Sequence, residues 1–446
     1  MAITQESLTA LQNTLEAEGA TWTAGKNKFF GMTDEELKRR LGCRPDPNGP
    51  SPQEQEAQAK LNLQQHALPR GGFPSSFDWR NRAGRNFISA IKDQGACGSC
   101  TAFGTCATLD ARIRIIRDLA VSDPNGYLLT DLSEAQLFYC GNPYSGPCEF
   151  GMLLSDAMNY SQSNGLGPEF CFPYTSGDQQ CAVSANWGYM ITQLNDYHSI
   201  TDVNDMKIQL WSNGPLIAPL TIYSDFYSYT SGVYRRTSGS VMVGYHCVSC
   251  IGYSEPLQAW LCKNSWGENW GESGFFWIGY GECGIDSQMY SADNFSQTFP
   301  EPGSVCHIDS FMVGLVMEVR GSETAPGAVV DSGLSITPWP FNQLWVFTSD
   351  GHIMNPTTGL VLSIAGGSME PGTPVLMATQ DVPSSWYQIW QLTPDGHIAS
   401  SEGNLVLDIT GGSWNWGTPI QVWTKNSPNS NNQLWRLSYL PGILVQ

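Results

Sequence analysis

Basic residues are scarce in this sequence of 446 residues, which has 22 lysines and arginines against 41 aspartates and glutamates. The formal net charge of −19 would repel the phosphates of nucleic acids and the anionic surface of membranes. The sequence also lacks a run of about 18 apolar residues, the length that a membrane-spanning helix needs. We therefore expect no nucleic-acid partner and no membrane span.

The N-terminus lacks the basic start and the apolar core of a secretory signal peptide. The chain nevertheless has 13 cysteines, and disulfide bonds persist in oxidising compartments. We therefore expect a secreted or endolysosomal protein whose signal peptide is not part of this chain. With 41% hydrophobic and 14% charged residues the chain should be globular, and its length predicts two or three domains.

A stretch rich in small residues, 93–103 (DQGACGSCTAF), leads into a helix that the apolar spacing predicts over residues 101–119. Cys100 should lie in the first turn of this helix, where the helix dipole and the free backbone N–H groups favour a thiolate. Gln94 offers a neutral side-chain donor upstream. The stretch predicts a nucleophile with an oxyanion donor beside it.

A nucleophilic thiol needs a base, and two later segments supply the candidates. His246 lies in the apolar, strand-like run 241–251, and Asn264 follows the apolar stretch 259–262. Two adjacent strands would bring the imidazole and the carboxamide together, so that Asn264 fixes the orientation of the His246 ring.

Two pairs of cysteines suggest rival functions. Cys97 with Cys100, and Cys247 with Cys250, would suit a zinc site or a thioredoxin-like redox site. A zinc site is not expected, because a bound metal would make the nucleophile unreactive and no further pair has the spacing of a zinc ribbon. A thioredoxin-like site is not expected either, because the sequence lacks the βαβ start of that fold. We therefore expect neither a metal nor a cofactor.

The Cys-Gly-Ser-Cys run, followed far downstream by His246 and Asn264, resembles the papain family of cysteine peptidases over residues 68–300. The resemblance implies an α+β fold of two lobes, with Cys100 and His246 on opposite walls of a cleft. A helical first half followed by a half rich in strand formers agrees with this fold. The chain departs from the family at Thr101, where an aromatic residue is usual, and at Phe150, where glycine is usual.

The resemblance also implies the remaining residues of the peptidase site. The substrate-binding residues would be Gly151, Met152, Leu153, Pro219, Gly244, Trp266 and Gln288. Because Gln288 is neutral, apolar side chains are expected two residues before the cleaved bond, with no preference for arginine. Two disulfides are implied, Cys97–Cys148 and Cys140–Cys181, and the other cysteines stay unassigned.

Residues 1–67 resemble the short propeptide of cathepsin B-like enzymes, on the motifs TWTAGKN and LKRRLGC. By this resemblance residues 41–43 lie in the substrate cleft in reverse orientation, so that the propeptide inhibits its own enzyme. Helices are predicted over 6–18 and from the capping box at Thr33 to residue 41. Residues 44–65 are polar and rich in proline, and are interpreted as a linker.

The cleft itself is predicted to be open. Cathepsin B has an insert with paired histidines that blocks one end of its cleft. The segment between Cys148 and His246 is too short, and has too few histidines, to contain that insert. Endopeptidase activity is therefore expected.

Beyond a predicted linker over 296–305, the sequence repeats every 45 residues. A Gln-x-Trp motif recurs in three copies, which end at Trp345, Trp390 and Trp435. Such repeats resemble the ricin B-type β-trefoil lectins, here over residues 306–446. The three tryptophans are expected to be core residues of an all-β domain.

The repeats differ at the positions that bind galactose in ricin-type lectins. Such a site has an acid, an aromatic platform 15 residues later, and Asn-Gln at 24 and 25 residues. The third repeat has Asp408, Trp423, Asn432 and Gln433. The second has Ser363, Ala378, Tyr387 and Gln388, and the first has Glu318, Gly333, Asn342 and Gln343. Only the third combines the acid with a stacking face, so it is predicted to bind galactose-type glycans, a purely structural trefoil being the alternative.

The sequence thus predicts a cysteine endopeptidase made as a zymogen, acting on protein or peptide substrates and targeted by a carbohydrate-binding module. One alternative is a lectin with an inactive peptidase-like domain, in which Thr101 would indicate that the catalytic motif has been lost. Another is a different Cys-His acyl transferase, such as a transglutaminase-like enzyme. The joint presence of Gln94, Cys100, His246 and Asn264 favours the peptidase.

Overall fold

The computed structural model describes residues 2–65, 73–121, 130–169, 172–183, 191–297, 304–312, 314–336, 340–348, 350–393, 395–402 and 404–444. The described residues form two compact units, with the boundary after Gln297. The predicted boundary between residues 67 and 68 lies outside the described residues. Both ends of the predicted linker over 296–305 belong to strands, which extend to Gln297 and begin again at Ser304, and the rest of it lies outside the described residues.

The N-terminal segment (residues 2–65) contains three helices and two short strands, namely Gln5–Glu18, Asp34–Lys38, Pro52–Gln65, Trp22–Ala24 and Cys43–Arg44. The predicted capping box is present, since Thr33 and Glu36 each bond the other's backbone N–H. Its helix ends at Lys38 rather than at residue 41, because the chain turns there to enter the pairing made by residues 43 and 44.

The prediction of a linker over residues 44–65 is wrong. Residues 52–65 are helical, and the helix starts from a capping box in which Ser51 and Glu54 bond each other's backbone N–H. Two of its three buried side chains are polar, Glu56 and Asn62, and the third is the small Ala59. Asn62 donates to the carbonyls of Thr201 and Asp286. A polar buried face leaves no apolar periodicity, which is why the pattern of hydrophobic residues did not indicate this helix.

Helices of the first unit precede most of its strands, as predicted. They span Cys100–Ile116, Pro147–Phe150, Leu154–Ser163 and Val203–Ser212, with a π-helical stretch at Gln136–Cys140. The long helix Cys100–Ile116 is buried along most of its length and lies against strand Met242–Ser254. Disulfides join Cys97 to Cys148 and Cys140 to Cys181, the two pairs that the family resemblance implies.

Nine strands of the described chain form one mixed sheet in the first unit. Along the sheet they are Trp22–Ala24, Tyr229–Tyr234, Phe275–Gly279, Ala259–Lys263, Met242–Ser254, Leu216–Tyr223, Met289–Gln297 and Thr192–Ile200, with Ser76–Asp78 beside Met242–Ser254. Strand Trp22–Ala24 of the N-terminal segment is thus hydrogen-bonded to the body of the unit. Aromatic side chains pack along this end of the sheet, which attaches the N-terminal segment firmly.

The second unit is all-β among its described residues. Its strands are Ser304–Ser310, Leu315–Val319, Val330–Leu334, Trp345–Phe347, Ile353–Met354, Val361–Ile364, Thr373–Ala378, Trp390–Leu392, Ile398–Ser400, Leu405–Ile409, Ile420–Thr424 and Trp435–Leu444. Trp345, Trp390 and Trp435 are fully buried, and each indole N–H donates to a backbone carbonyl 28 residues upstream. The prediction that these residues are structural is confirmed.

No described helix combines the length and the apolar character needed to cross a bilayer.

Candidate active site

Cys100 is the first residue of helix Cys100–Ile116 and is completely buried. Its sulfur accepts the backbone N–H of Gly42 at 3.3 Å. The backbone N–H of Cys247, the residue after His246, is also close enough to this sulfur to lower the pKa of the thiol. The helix that carries the thiol and the strand that carries the imidazole therefore meet at this point.

His246 lies in strand Met242–Ser254, and Asn264 follows directly after strand Ala259–Lys263, which is its neighbour in the sheet. The Nε2 of His246 is 2.7 Å from the Oδ1 of Asn264. Trp266 lies over the imidazole, with the ring centroids 4.8 Å apart. The other ring nitrogen, Nδ1, has no hydrogen-bond partner within the described residues. Asn264 therefore holds one nitrogen of the ring and leaves the other without a bond.

Burial is the largest influence on the pKa values of Cys100 and His246. Burial raises the pKa of the Cys100 thiol to about 12, with a further rise from Cys43, against the lowering effect of nearby backbone N–H groups. Burial likewise lowers the pKa of His246 to about 4, although the bond to Asn264 acts in the opposite direction. The expected thiolate is therefore not favoured in this form, because the loss of water outweighs the helix terminus.

The side chain of Gln94 is fully buried and hydrogen-bonded to the N-terminal segment. Its Nε2 donates to the carbonyls of Arg40 at 3.0 Å and Cys97 at 2.7 Å. Its Oε1 accepts the hydroxyl of Ser265 at 2.6 Å, which fixes the amide. Both N–H groups of the amide are thus directed at backbone carbonyl oxygens.

Gly42 brings the N-terminal segment into backbone contact with both sides of the thiol. Its carbonyl accepts the N–H of Met152 at 2.8 Å, and strand Cys43–Arg44 pairs in parallel with Met152–Leu153. A Cβ atom on Gly42 would lie 1.8 Å from the carbonyl oxygen of Gly98, and one on Gly151 would lie 2.1 Å from the Gly42 oxygen. Only glycine fits at these contacts.

The predicted substrate-binding residues fall into two groups. Leu153, Pro219 and Gln288 line a cavity of about 670 Å³ beneath residues 43–58 of the N-terminal segment. The others contact that segment: Gly151 meets Gly42, Met152 pairs with Cys43, Gly244 meets the side chain of Leu41, and Trp266 packs edge-on against Phe29.

Tyr245 and Tyr290 also line this cavity and were not predicted. Tyr245 comes directly before His246 in the same strand, and this adjacency was the available signal. Among the departures from the family, the Thr101 hydroxyl donates to the carbonyl of Met152 at 3.0 Å. Phe150 is exposed. Thr101 therefore has a structural partner of its own.

The second unit brings together three of the four residues predicted in its third repeat, and the fourth, Trp423, lies in the strand that pairs with that of Asp408. One carboxylate oxygen of Asp408 accepts from Asn432 at 2.7 Å and from Gln433 at 3.0 Å. The other accepts from Gln421 at 3.0 Å, a partner that the repeat pattern did not predict. Burial raises the pKa of Asp408, and the three amides lower it. Trp423 is 39% exposed, so its ring can stack against a ligand.

The other two repeats lack parts of this arrangement. In the first, Glu318 accepts from Asn342 at 3.4 Å and Gln343 at 2.8 Å, but its carboxylate fills the space where a side chain at Gly333 would be. In the second, Ser363 replaces the acid and Ala378 the aromatic residue. Acid and platform coincide in the third repeat alone.

Comparison with known proteins separates the same two regions. The family described as papain family cysteine protease matches residues 73–292, and that described as ricin-type beta-trefoil lectin domain-like matches residues 341–423. The thiol protease aleurain of Arabidopsis thaliana is 31% identical over 294 residues, covering 64% of this chain and 75% of aleurain.

Two solved proforms are similar in structure. A digestive procathepsin L2 of Tenebrio molitor has a TM-score of 0.52 and 26% identity, covering 65% of this chain and 89% of its own. A procathepsin B of Trypanosoma congolense also has a TM-score of 0.52, over 65% of this chain and 97% of its own, and its 23% identity indicates the fold alone.

Proposed function

The chain belongs to the papain family of cysteine proteases and contains a ricin-type lectin domain, and from this we propose a thiol mechanism carried by Cys100, His246, Asn264 and Gln94. The free enzyme would form a thiolate–imidazolium pair once water replaces the N-terminal segment. The thiolate attacks the peptide carbonyl, and His246 protonates the leaving amine. His246 then activates the water that hydrolyses the acyl-enzyme.

The geometry of His246 supports this proposal most directly. Asn264 fixes one ring nitrogen, Trp266 covers that bond, and the second nitrogen has no partner among the described residues. Such a ring is oriented for proton transfer at a single atom. The backbone N–H of Cys247 at the sulfur places the same strand beside the nucleophile.

We expect Gln94→Ala to reduce kcat by about 10²–10³-fold, the usual cost of losing one oxyanion donor. The KM should change little, because the donor acts mainly in the transition state. The measurement is steady-state hydrolysis of a fluorogenic peptide by the processed enzyme. Gln94→Glu, which keeps the size but loses the N–H groups, should be as slow. Unchanged kcat in both variants would remove Gln94 from the mechanism.

The N-terminal segment would hold the enzyme as a zymogen. It donates a backbone N–H to the nucleophile, offers a carbonyl to the oxyanion donor and roofs the cavity lined by Leu153, Pro219 and Gln288. A substrate cannot reach the thiol while these contacts persist. The parallel pairing of Cys43–Arg44 with Met152–Leu153 fits a chain that binds without being cleaved.

The enzyme would act as an endopeptidase that prefers apolar side chains two residues before the cleaved bond. Pro219, Leu153 and two tyrosines surround the neutral Gln288 in the cavity. A peptide with Phe at that position should give a kcat/KM about 10-fold or more above the matched Arg peptide. Gln288→Glu should narrow the difference by attracting Arg. Equal turnover of the two peptides, or removal of C-terminal dipeptides only, would contradict this assignment.

The lectin domain would bind a galactose-type glycan through its third repeat. Asp408→Ala removes the carboxylate that orients Gln421, Asn432 and Gln433, so we expect affinity to fall about 30-fold or more. Trp423→Ala, which leaves this network intact, should weaken binding as well. Ser363→Ala in the second repeat is the matched control and should bind normally. Retention on a galactose column or glycan array measures this, and absence of any glycan binding would contradict it.

These properties suit an oxidising, acidic setting. Two disulfides, a zymogen and a glycan-binding module are typical of secreted or endolysosomal proteins. We therefore propose that location for the protein.

A further inference from the structure

Two thiols that the mechanism does not use meet beside the nucleophile. Cys43 belongs to the N-terminal segment, and Cys247 follows His246 in strand Met242–Ser254. The strand Cys43–Arg44 lies against Met242–Ser254, and Cys43 and Cys247 belong to one buried cluster. A side-chain interaction between the two thiols lowers the pKa of Cys43 and raises that of Cys247. Both cysteines are free, with exposures of 6% and 0%. The contact therefore joins the removable segment to the body of the enzyme.

Neighbouring groups hold this thiol pair in place. The Cys247 sulfur lies 2.8 Å from where a Cβ atom on Gly104 would be, so it is wedged against helix Cys100–Ile116. The Thr101 side chain also lies close to the Cys43 sulfur, although its hydroxyl donates to the carbonyl of Met152. Cys100 has a different partner, the N–H of Gly42. Cys43 also lies near the nucleophile, since its backbone N–H reaches the Cys100 sulfur, but its own thiol has Cys247 as its partner.

Of the two thiols, Cys43 is the one that a small reagent can reach. Cys43 lines the cavity of about 670 Å³, although little of its surface is exposed to bulk solvent. Because Cys43 lines the cavity and Cys247 does not, Cys43 is the thiol that a reagent meets first, and Cys247 is its resolving partner.

We propose that Cys43 and Cys247 are a redox modification site, whose disulfide tethers the N-terminal segment in the cleft. The oxidant is a small symmetric disulfide, RSSR. The Cys43 thiolate attacks one of its sulfurs and releases RS⁻, which leaves Cys43–S–S–R. Cys247, losing its proton to RS⁻, attacks the Cys43 sulfur and releases the second thiolate. Two protein thiols are oxidised to one disulfide, and RSSR is reduced to two RSH.

This inference rests on the proposed zymogen function and adds that the Cys43–Cys247 disulfide must be reduced before the zymogen can be activated. Cleavage after residue 65 would not release a segment that stays bonded to the strand of His246. The oxidised zymogen would remain latent at acid pH, and a reducing environment would permit activation. The reducing conditions that keep Cys100 a free thiol would also reduce the Cys43–Cys247 disulfide, so the enzyme would become active only where its nucleophile is intact.

The first test maps the bond without needing activity. The full-length chain with Cys100→Ala is incubated with bis(2-hydroxyethyl) disulfide, alkylated and digested without reduction. We expect a peptide linking Cys43 to Cys247, lost after dithiothreitol and absent in the Cys43→Ser and Cys247→Ala variants. The Cys106→Ser substitution, which removes another buried thiol from helix Cys100–Ile116, should leave the linked peptide unchanged. Hydroxyethyl adducts alone, or another pairing of Cys43, would overturn the proposal.

The second test measures latency in the chain with Cys100 intact. After acid incubation, labelling by an epoxide inhibitor should be at least 10-fold lower in the oxidised than in the reduced protein. Cys43→Ser should be labelled equally in both states. Equal labelling of the original chain in both states would overturn the tether. Absence of labelling in every state would overturn the proposed peptidase mechanism while the mapped disulfide stands.

Discussion

Replacement of Cys100 by alanine should lower the kcat/KM of the processed enzyme by about 10⁵-fold or more. In the proposed mechanism the sulfur forms the acyl-enzyme, and neither His246 nor a water molecule at the same site can substitute for it. The expected residual rate comes from substrate binding and from Gln94 alone. Hydrolysis of an internally quenched peptide, normalised to folded protein, measures the loss.

A matched control lies in the same helix. Cys106 is also fully buried in Cys100–Ile116, and its pKa is likewise raised by burial. Cys106→Ala should cost some stability through the small cavity it leaves, but should keep kcat/KM within a few-fold of the original. Equal losses in the two variants would mean that Cys100 acts through packing, not through chemistry.

Replacement of Gly42 by valine should release the zymogen from inhibition. The first carbon of any side chain there would lie 1.8 Å from the Gly98 oxygen, a backbone atom that cannot rotate away. Overpacking of this kind costs about 1–3 kcal/mol, which corresponds to roughly 5- to 150-fold weaker retention of the segment. The unprocessed variant should therefore react with an epoxide inhibitor at neutral pH, where the original chain reacts slowly.

Gly19 provides the comparison within the same segment. It has a positive φ of 63° and no atoms within 4 Å of its Cβ position, so Gly19→Asn should be tolerated and should leave latency intact. Because both substitutions alter the N-terminal segment, the contrast isolates the contact at the thiol. A latent Gly42→Val zymogen would show that the segment inhibits through other contacts.

The sequence predicted the parts of the site that depend on spacing along the chain. Cys100 at a helix start, and His246 and Asn264 at adjacent strands, follow from local patterns that tertiary structure did not override. The repeat of 45 residues likewise predicted three buried tryptophans. Both kinds of signal are periodic or motif-like, so one sequence suffices to detect them.

What the sequence missed depends on contacts between distant residues. The helix Pro52–Gln65 buries Asn62, whose partners lie more than 130 residues away, so no apolar pattern indicated it. The raised pKa of Cys100 results from burial beneath the N-terminal segment, which a helix-dipole argument does not include. Gln421 was missed because its role appears only once the register pairs it with Asp408.

Epoxide labelling of the full-length chain, followed residue by residue with mass spectrometry, tests the central claim most directly. The account predicts that Cys100 is almost unlabelled before acid incubation and stoichiometrically labelled after the N-terminal segment is removed, and that His246→Ala abolishes the labelling. Labelling of Cys100 that is equally fast before and after removal would contradict the inhibitory role of the segment. A processed protein in which Cys100 never reacts would contradict the mechanism itself.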